Sequence, residues 1–377
     1  MTSGLLLLIG ASIAVLVTGW IWYPRHMARR GARVPALVPP DPPSWPAVSV
    51  VLATREPTPR IVQRLQNLRE LEYSARALQF VVALDATVAE RQEAVQQALG
   101  SGVVVVHGGA AGKASALTAG VHAAAHELLL FVDTAQQFAP DALSLLVSAV
   151  LREGWGAATA TLQPTSGDAL MDRYWRRELA VRLGQASRHS VICVTGCAYV
   201  MRRQFWRDMP VGLICDDLWS TYSVVTGGAR VAIVPGARVV DPRRFSREQE
   251  LARRLRTMTG LLQFVLWFPG ILSAHRNPML IDFLLHKLVR PLTPLLLLVT
   301  GLATFGLLWR ESPGLASVLT TAGASAGLAS WILAGMGEGR LPRMARTGIF
   351  AGQLLFMPLK ALAFAAAGRW DVWRPHH

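Results

Sequence analysis

The chain has 377 residues, with 38 Lys and Arg against 24 Asp and Glu, a formal net charge of +14 at pH 7. Charged residues make up 16% of it and hydrophobic residues 52%, which excludes a disordered, charge-rich chain that cannot bury enough apolar surface to fold. The basic excess sits beside long apolar runs rather than on a polar chain. That argues against a soluble nucleic-acid binder, so no nucleic-acid partner is expected, and it fits a membrane protein with basic flanks.

In chain order, Leu5 to Tyr23 comes first, uncharged and of near-spanning length. No basic stretch precedes it and no small-residue cleavage site follows, so it reads as an anchor rather than a cleaved signal. Arg25, His26, Arg29, Arg30 and Arg33 come at once after it. The positive-inside rule keeps those residues cytoplasmic and the N-terminus outside. Pro35 to Pro46 reads as a stiff linker, closing an anchor-and-linker segment at 1–46.

From 47 to 258 the character changes. Short β-branched runs at Val48–Leu52, Phe80–Leu84, Val103–Val106 and Leu128–Val132 alternate with helix-like stretches at Ile61–Leu71, Ala89–Leu99, Ala114–Ala125 and Ala139–Leu151. Such alternation predicts an α/β domain with a mainly parallel sheet covered on both faces. The region from 259 to 377 is apolar again. Thr259–Ala274 is too short to cross a membrane, is interrupted at Pro269–Gly270, and reads as an interfacial helix. Pro291–Trp309 and Gly314–Met336, linked by Arg310–Pro313, form a hairpin of two spans. Arg340, Arg343 and Arg346 return the chain to the basic side, and Thr347–Ala367 is a third candidate, weakened by Pro358 and Lys360. Cys193, Cys197 and Cys215 are too few for a disulfide framework and favour a reducing compartment.

In a parallel α/β sheet, ligands bind where strands end. Ala53-Thr54-Arg55-Glu56 follows the first strand and Asp85 the second. Gly108-Gly109-Ala110-Ala111-Gly112-Lys113 follows the third and opens a helix, and Asp133 follows the fourth. A helix N-terminus with a lysine favours phosphate, and an acid opposite it can hold a divalent ion. Ala114 stands where a P-loop needs Ser or Thr, so an NTPase is not the reading. The order suggests a nucleotide-diphosphate site with a metal.

Three further constellations have plainer readings. His122 and His126 stand at i, i+4, but no third zinc ligand is evident. Cys193 and Cys197 lack a second pair. Trp20, Trp22, Trp267, Trp309 and Trp331 flank apolar segments as interface anchors, whereas Trp206 and Trp219, close to Asp217 in sequence, are better candidates for stacking on a ligand ring.

The motif order resembles that of membrane-bound family 2 glycosyltransferases, inverting enzymes with a GT-A nucleotide-sugar fold. The segments that carry the resemblance are Val-Ser-Val-Val-Leu-Ala-Thr-Arg-Glu at 48–56, Gly-Lys-Ala-Ser-Ala-Leu-Thr-Ala-Gly at 112–120 and Phe-Val-Asp-Thr-Ala-Gln-Gln-Phe-Ala-Pro-Asp-Ala-Leu at 131–143. Tyr-Trp-Arg-Arg-Glu at 174–178, Thr-Gly-Cys-Ala-Tyr-Val-Met-Arg-Arg at 195–203 and Cys-Asp-Asp-Leu at 215–218 follow. Arg-Arg-Leu-Arg at 253–256 and His-Lys-Leu-Val-Arg-Pro at 286–291 close the set.

The resemblance implies that Ala53, Thr54, Glu56, Asp85 and Lys113 line the donor, with Asp85 at the nucleobase and Lys113 at the pyrophosphate or uridine. It gives Asp133 the metal, Mg²⁺ or Mn²⁺, and Asp217 the role of general base beside Asp216. Arg253, Arg254 and Arg256 would lie near the leaving diphosphate, and Gly196, Tyr199 and Trp219 by the acceptor. The chain departs from the family pattern at Ala135, where a second metal-motif acid is usual, at Thr54-Arg55, at Thr118, and at Thr257 in place of tryptophan.

The expected function is transfer from a nucleotide sugar, UDP-linked, to a glycan or lipid-linked acceptor in polysaccharide or glycoconjugate synthesis. The expected place is a bacterial inner membrane, with the catalytic domain cytoplasmic and membrane lipids, a second copy or an export subunit as partners. A non-catalytic scaffold of an export complex and a polyprenyl-phosphate glycosyltransferase are the alternatives.

Overall fold

A computed structural model describes residues 2–34, 41–73, 78–164, 169–243, 245–322, 325 and 343–371. The chain divides into two compact units. One is built of Met1–Pro24, Leu251–Thr259 and Phe283–Val372, and the other chiefly of Arg25–Glu250 and Gly260–Asp282.

The chain opens with α1 (Thr2–Gly31), a 30-residue helix. The α/β unit then runs β1 (Val48–Thr54), α2 (Thr58–Arg69), β2 (Leu78–Leu84), α3 (Gln92–Leu99), β3 (Val103–His107), α4 (Lys113–Ala123) and β4 (Leu128–Val132). It continues with β5 (Gln137–Phe138), α5 (Ala142–Val150), β6 (Trp155–Pro164), α6 (Ala169–Arg188), β7 (Ala198–Arg202), α7 (Asp216–Thr226) and β8 (Arg230–Asp241). Three more helices follow: α8 (Arg247–Trp267), α9 (Leu280–Glu311) and α10 (Arg343–Ala366).

One eight-stranded sheet has the order β3-β2-β1-β4-β7-β6-β8-β5. Every residue of β1 and β4 is buried, as expected where helices cover both faces of a β-branched strand. The core joins these strands to Leu65 and Leu68 of α2, Val95 of α3 and Leu143, Leu146 and Val147 of α5. The four strands foreseen are present and pair in parallel, with Thr54 opposite Leu84, Leu84 opposite His107 and Leu52 opposite Val132. That register brings Arg55, Asp85, Gly108 and Asp133 to a single edge.

The sheet is mixed rather than mainly parallel. Strand β7 runs antiparallel between β4 and β6, and β5 runs antiparallel to β8. The reversal has a consequence for the site: Val132 at the C-terminal end of β4 pairs with Ala198 at the start of β7, so the segment entering β7 arrives beside Asp133. Residues 86–91 form a 3₁₀ turn with a kink at Val88, so α3 starts at Gln92 and not Ala89.

The apolar run from Thr259 does not begin a helix of its own. It is the second half of α8, which starts at a capping box on Ser246 and carries Arg253, Arg254 and Arg256 in its earlier turns. The helix ends where Pro269–Gly270 enters a short 3₁₀ turn.

Within the other unit, α1 and α9 pack antiparallel. Trp20 Nε1 donates to Thr293 Oγ1 at 2.8 Å, Tyr23 meets His286 with ring centroids 5.9 Å apart, and Leu5 lies close to Gly306. Both helices are long and apolar enough to cross a membrane, and both leave large aliphatic side chains uncovered, Leu7 at 72% and Leu302 at 62% exposure. The third candidate segment is helical as part of α10, with Pro358 inside it, and its apolar stretch is the shorter Gly352–Ala366. Residues 313–322 are helical. The rest of the expected Gly314–Met336 span, apart from Ser325, lies outside the described residues, as do Trp331, Arg340 and residues 35–40 of the linker.

Candidate active site

Lys113 is the first residue of α4, and it is aimed by the glycine before it. Gly112 has φ +113°, a backbone conformation that a side chain disfavours, and its N–H donates to Asp85 Oδ2 at 2.9 Å. Asp85 Oδ1 accepts from the N–H and the hydroxyl of Thr87. The buried Asp85 therefore ties the end of β2 to the glycine-rich turn. The N–H of Gly112 serves this carboxylate, so the helix-terminus phosphate contact expected there rests on Lys113.

The Lys113 ammonium lies 2.9 Å from Asp133 Oδ1 and 2.9 Å from Asp216 Oδ2. Burial works against its charged form, but the two carboxylates outweigh that and hold its pKa well above the ordinary lysine value. Asp133 ends β4, whereas Asp216 begins α7, 83 positions later in the sequence numbering. Asp216 and Asp217 both occupy the first turn of α7, where the helix dipole favours negative charge. Asp217 Oδ1 accepts from the Leu218 N–H at 2.8 Å.

The loop bearing this acid pair is pinned on two sides. Gln263 of α8 accepts from the Ile214 N–H and donates to the Gly212 carbonyl, both at 2.9 Å. A Cβ at Gly260 would stand 2.6 Å from Cys215 Sγ, and one at Gly196 3.2 Å from Asp217 Cβ. Glycine at both positions allows the segments to close on the acids.

At the end of β1, Thr54 Oγ1 accepts from the Glu56 N–H at 3.0 Å and from Thr134 Oγ1 at 2.8 Å, joining β1 to the metal-motif loop. Ala53 and Thr54 are buried, and Glu56 pairs with Arg60 at 3.4 Å.

Two expected aromatic contacts are elsewhere. Tyr199 is fully buried, stacks on Phe131 with centroids 4.6 Å apart, and shares a hydrogen bond with Ser220 Oγ. As a strand residue inside the sheet it packs the core and does not face an acceptor. Trp206 lies at 5.3 Å from Phe131, also stacked. Trp219 is half-buried, donates to the Arg207 carbonyl and packs on Phe268. His122 is exposed and pairs with Asp208 rather than with His126.

Sequence reading missed two arginines, Arg64 buried and Arg182 partly so. Arg64 on α2, 3% exposed, donates from Nε to the Asp133 carbonyl at 2.9 Å and from Nη1 to Asn67 Oδ1, and burial brings its pKa down to about 10. Arg182 on α6 donates to Thr195 Oγ1 and the Cys193 carbonyl. Burial lowers its pKa, and Cys193, Glu178 and Asp217 nearby counter that in part. Neither follows a strand, so inspection of strand ends passes over both. Arg253, Arg254 and Arg256 lie within the 251–259 segment that groups with the apolar unit.

A divalent cation implied by this fold would find two carboxylates, not one. Ala135 offers no ligand, and among the described residues no group of three His, Cys, Asp or Glu side chains is placed to hold an ion. Yet Asp133 and Asp216 converge on one positive charge, the lysine ammonium, and the buried Oδ2 of Asp216 has no aligned hydrogen bond. Two carboxylate oxygens completed by diphosphate and water suit Mg²⁺ or Mn²⁺. The donor set fits, with Asp216 supplying what Ala135 does not.

A half-sheet of parallel strands with acids at its C-terminal edge, continued by a mixed half, with the start of α7 bringing an acid pair to the same lysine, defines a GT-A glycosyltransferase fold. Residues 46–260 match the model of the glycosyltransferase-like family 2, and the chain belongs to that family of enzymes. The mannosyltransferase PcManGT from Pyrobaculum calidifontis, in complex with GDP-Man and Mn²⁺, is 20% identical. It aligns over 97% of this chain and 100% of its own, with a TM-score of 0.65. GalNAc-T7 with UDP, GalNAc and Mn²⁺ is 14% identical over 53% of this chain and 44% of its own, TM-score 0.41. TarS of S. aureus is 15% identical over 63% and 43%, TM-score 0.42. No curated protein sequence shows a significant match.

Proposed function

We propose that the enzyme transfers a sugar from a nucleoside-diphosphate sugar, UDP-linked, to a hydroxyl of a glycan or lipid-linked acceptor, with inversion at the anomeric carbon. The observation that carries this reading is the meeting of Lys113 with Asp133 and Asp216, one residue from Asp217.

Asp85 and the β1 end, with Ala53, Thr54 and Glu56, would hold the nucleoside. Asp217 would take the acceptor hydroxyl proton as the new C–O bond forms. The bond from the anomeric carbon to the diphosphate breaks on the opposite side, and Lys113 would meet the negative charge that develops on the leaving group. Arg253, Arg254 and Arg256 would add to that neutralisation. Asp133 and Asp216 would hold Mg²⁺ or Mn²⁺, which when bound supplies Lewis-acid neutralisation of the diphosphate. Gly196 and Trp219 would border the acceptor.

The two apolar helices and their basic flank support a membrane enzyme whose α/β unit faces the cytoplasm, where sugar nucleotides are made. Membrane lipids would be its surroundings, and a second copy or an export subunit would be needed if the product crosses the bilayer. Ala135 favours a non-catalytic scaffold, but the second carboxylate brought by Asp216 answers that objection.

The test is a panel of radiolabelled UDP- and GDP-sugars on membranes containing the protein, with GDP-mannose included because the Pyrobaculum enzyme holds it. Label should move to a glycan or lipid fraction from one donor. Absence of transfer and of nucleotide binding across the panel would refute the reading.

A further inference from the structure

The oxygens that would hold a divalent ion are the ones the lysine touches. Lys113 Nζ is 2.9 Å from Asp133 Oδ1 and from Asp216 Oδ2, whereas a bound divalent ion would stand about 2.0–2.6 Å from each. Both cations need the same place. At about 3 Å from one another in a partly buried site, two positive charges repel strongly, so ammonium and metal ion compete.

The charges point the same way. Two carboxylates and one ammonium leave the trio with a net −1, a poor receptor for a diphosphate. If a divalent ion takes the ammonium's place, the carboxylates and the ion are neutral together, and Lys113 is released with its charge unspent. It stands at the first position of α4, with open space around Gly109 and Gly112 beside it. A diphosphate is the counter-ion its chemistry calls for.

We propose that Lys113 is a placeholder: it holds Asp133 and Asp216 together, gives up both carboxylates when a nucleoside diphosphate arrives with its divalent ion, and re-pairs with the diphosphate. This rests on the donor-site reading above. It makes ion and nucleotide interdependent, because an ion alone must displace an ammonium from both its carboxylates into open space, and the diphosphate supplies it with a new counter-ion.

The experiment is Mn²⁺ binding to the purified full chain in detergent, followed by electron paramagnetic resonance of the free ion, with and without UDP or GDP. For wild type, nucleotide should tighten Mn²⁺ by at least ~10-fold. For Lys113→Met, Mn²⁺ alone should bind ~10-fold more tightly than to wild type, while UDP and GDP bind more weakly. A structural lysine that does not compete predicts the opposite sign for Mn²⁺ alone.

Melting curves guard against a folding defect, since Lys113→Met leaves two carboxylates facing each other. Mn²⁺ without nucleotide should raise the melting temperature of the variant and leave wild type unmoved. Equal or weaker Mn²⁺ binding by the variant overturns the proposal, and so does a variant that Mn²⁺ fails to rescue. If neither UDP nor GDP binds wild type under any cation condition, the donor-site reading falls instead, and the comparison of Mn²⁺ alone still decides the lysine's role.

Discussion

Asp217 and Asp216 are adjacent in sequence but are held by different partners. Asp216 meets the lysine, while the Asp217 carboxylate, among the described residues, accepts a short-range bond from the next backbone N–H and lies beside Gly196. A carboxylate that must take a proton from an acceptor is better placed outside the ion-paired trio. Asp217→Asn should lower kcat by about 10²–10⁴-fold, with donor affinity retained, measured by product formation and by nucleotide titration. Unimpaired turnover would remove Asp217 as the base. Tyr199 gives the contrasting case. Tyr199→Phe loses the bond to Ser220 and should cost about 1 kcal/mol of stability, seen in chemical denaturation, with the KM for acceptor unchanged.

A pH effect belongs at this scale too. Burial opposes the charge of Asp241, but hydrogen bonds and the positive charge from Arg243 outweigh it and depress the carboxyl below its ordinary value of 3.8. A depressed folded-state pKa contributes stability that is present above the unfolded value and lost as pH falls through the folded one. Arg243→Ala should therefore be less stable than wild type at neutral pH, and the gap should close as pH drops below about 4. A gap that widens on acidification would contradict this pairing.

Among the elements, α8 has two duties. Its first half carries the arginine motif, and residues 260–263 brace the loop that leads into the acid pair. Gly260→Ala would place a methyl group 2.6 Å from Cys215 Sγ and 2.7 Å from Ile214 Cγ2. The loop must then shift, and displacement of a catalytic group by about 1 Å is enough to cost up to about 10²-fold in rate. The expected result is a kcat lowered by ~10-fold or more with a smaller loss of thermal stability. A variant with normal kcat would show that the acid pair is positioned without α8.

For the whole molecule, the aliphatic faces of α1 and α9 are a large uncovered apolar surface. Exposed leucines along two mutually packed helices are the surface that a pair of membrane-spanning helices would present to lipid. The protein should stay with membranes through an alkaline carbonate wash and come off only in detergent. Release by carbonate would mean that these helices are covered by protein and not lipid. Cysteine labelling of single-Cys variants before Leu5 and within Arg25–Arg33 tests the orientation, with the former expected outside and the latter inside.

Much of this molecule was legible in one dimension. Periodicity located β1 to β4 and the helices between them, because a strand buried on both faces must be a short β-branched run whatever it pairs with. Strand ends located Asp85, Lys113 and Asp133, because register in a parallel sheet aligns those ends. What tertiary structure alone decided is which distant groups meet. The antiparallel β7 buried Tyr199 that sequence had offered to the acceptor, the segment after it brought Asp216 back to the Lys113–Asp133 pair, and helix packing set Arg64 against the Asp133 carbonyl. It also gave Lys113 two acids where the motif with Ala135 promised one. Local patterns report a residue's own element and face, whereas a charge's partner is set by packing across tens of residues, and no periodicity encodes that.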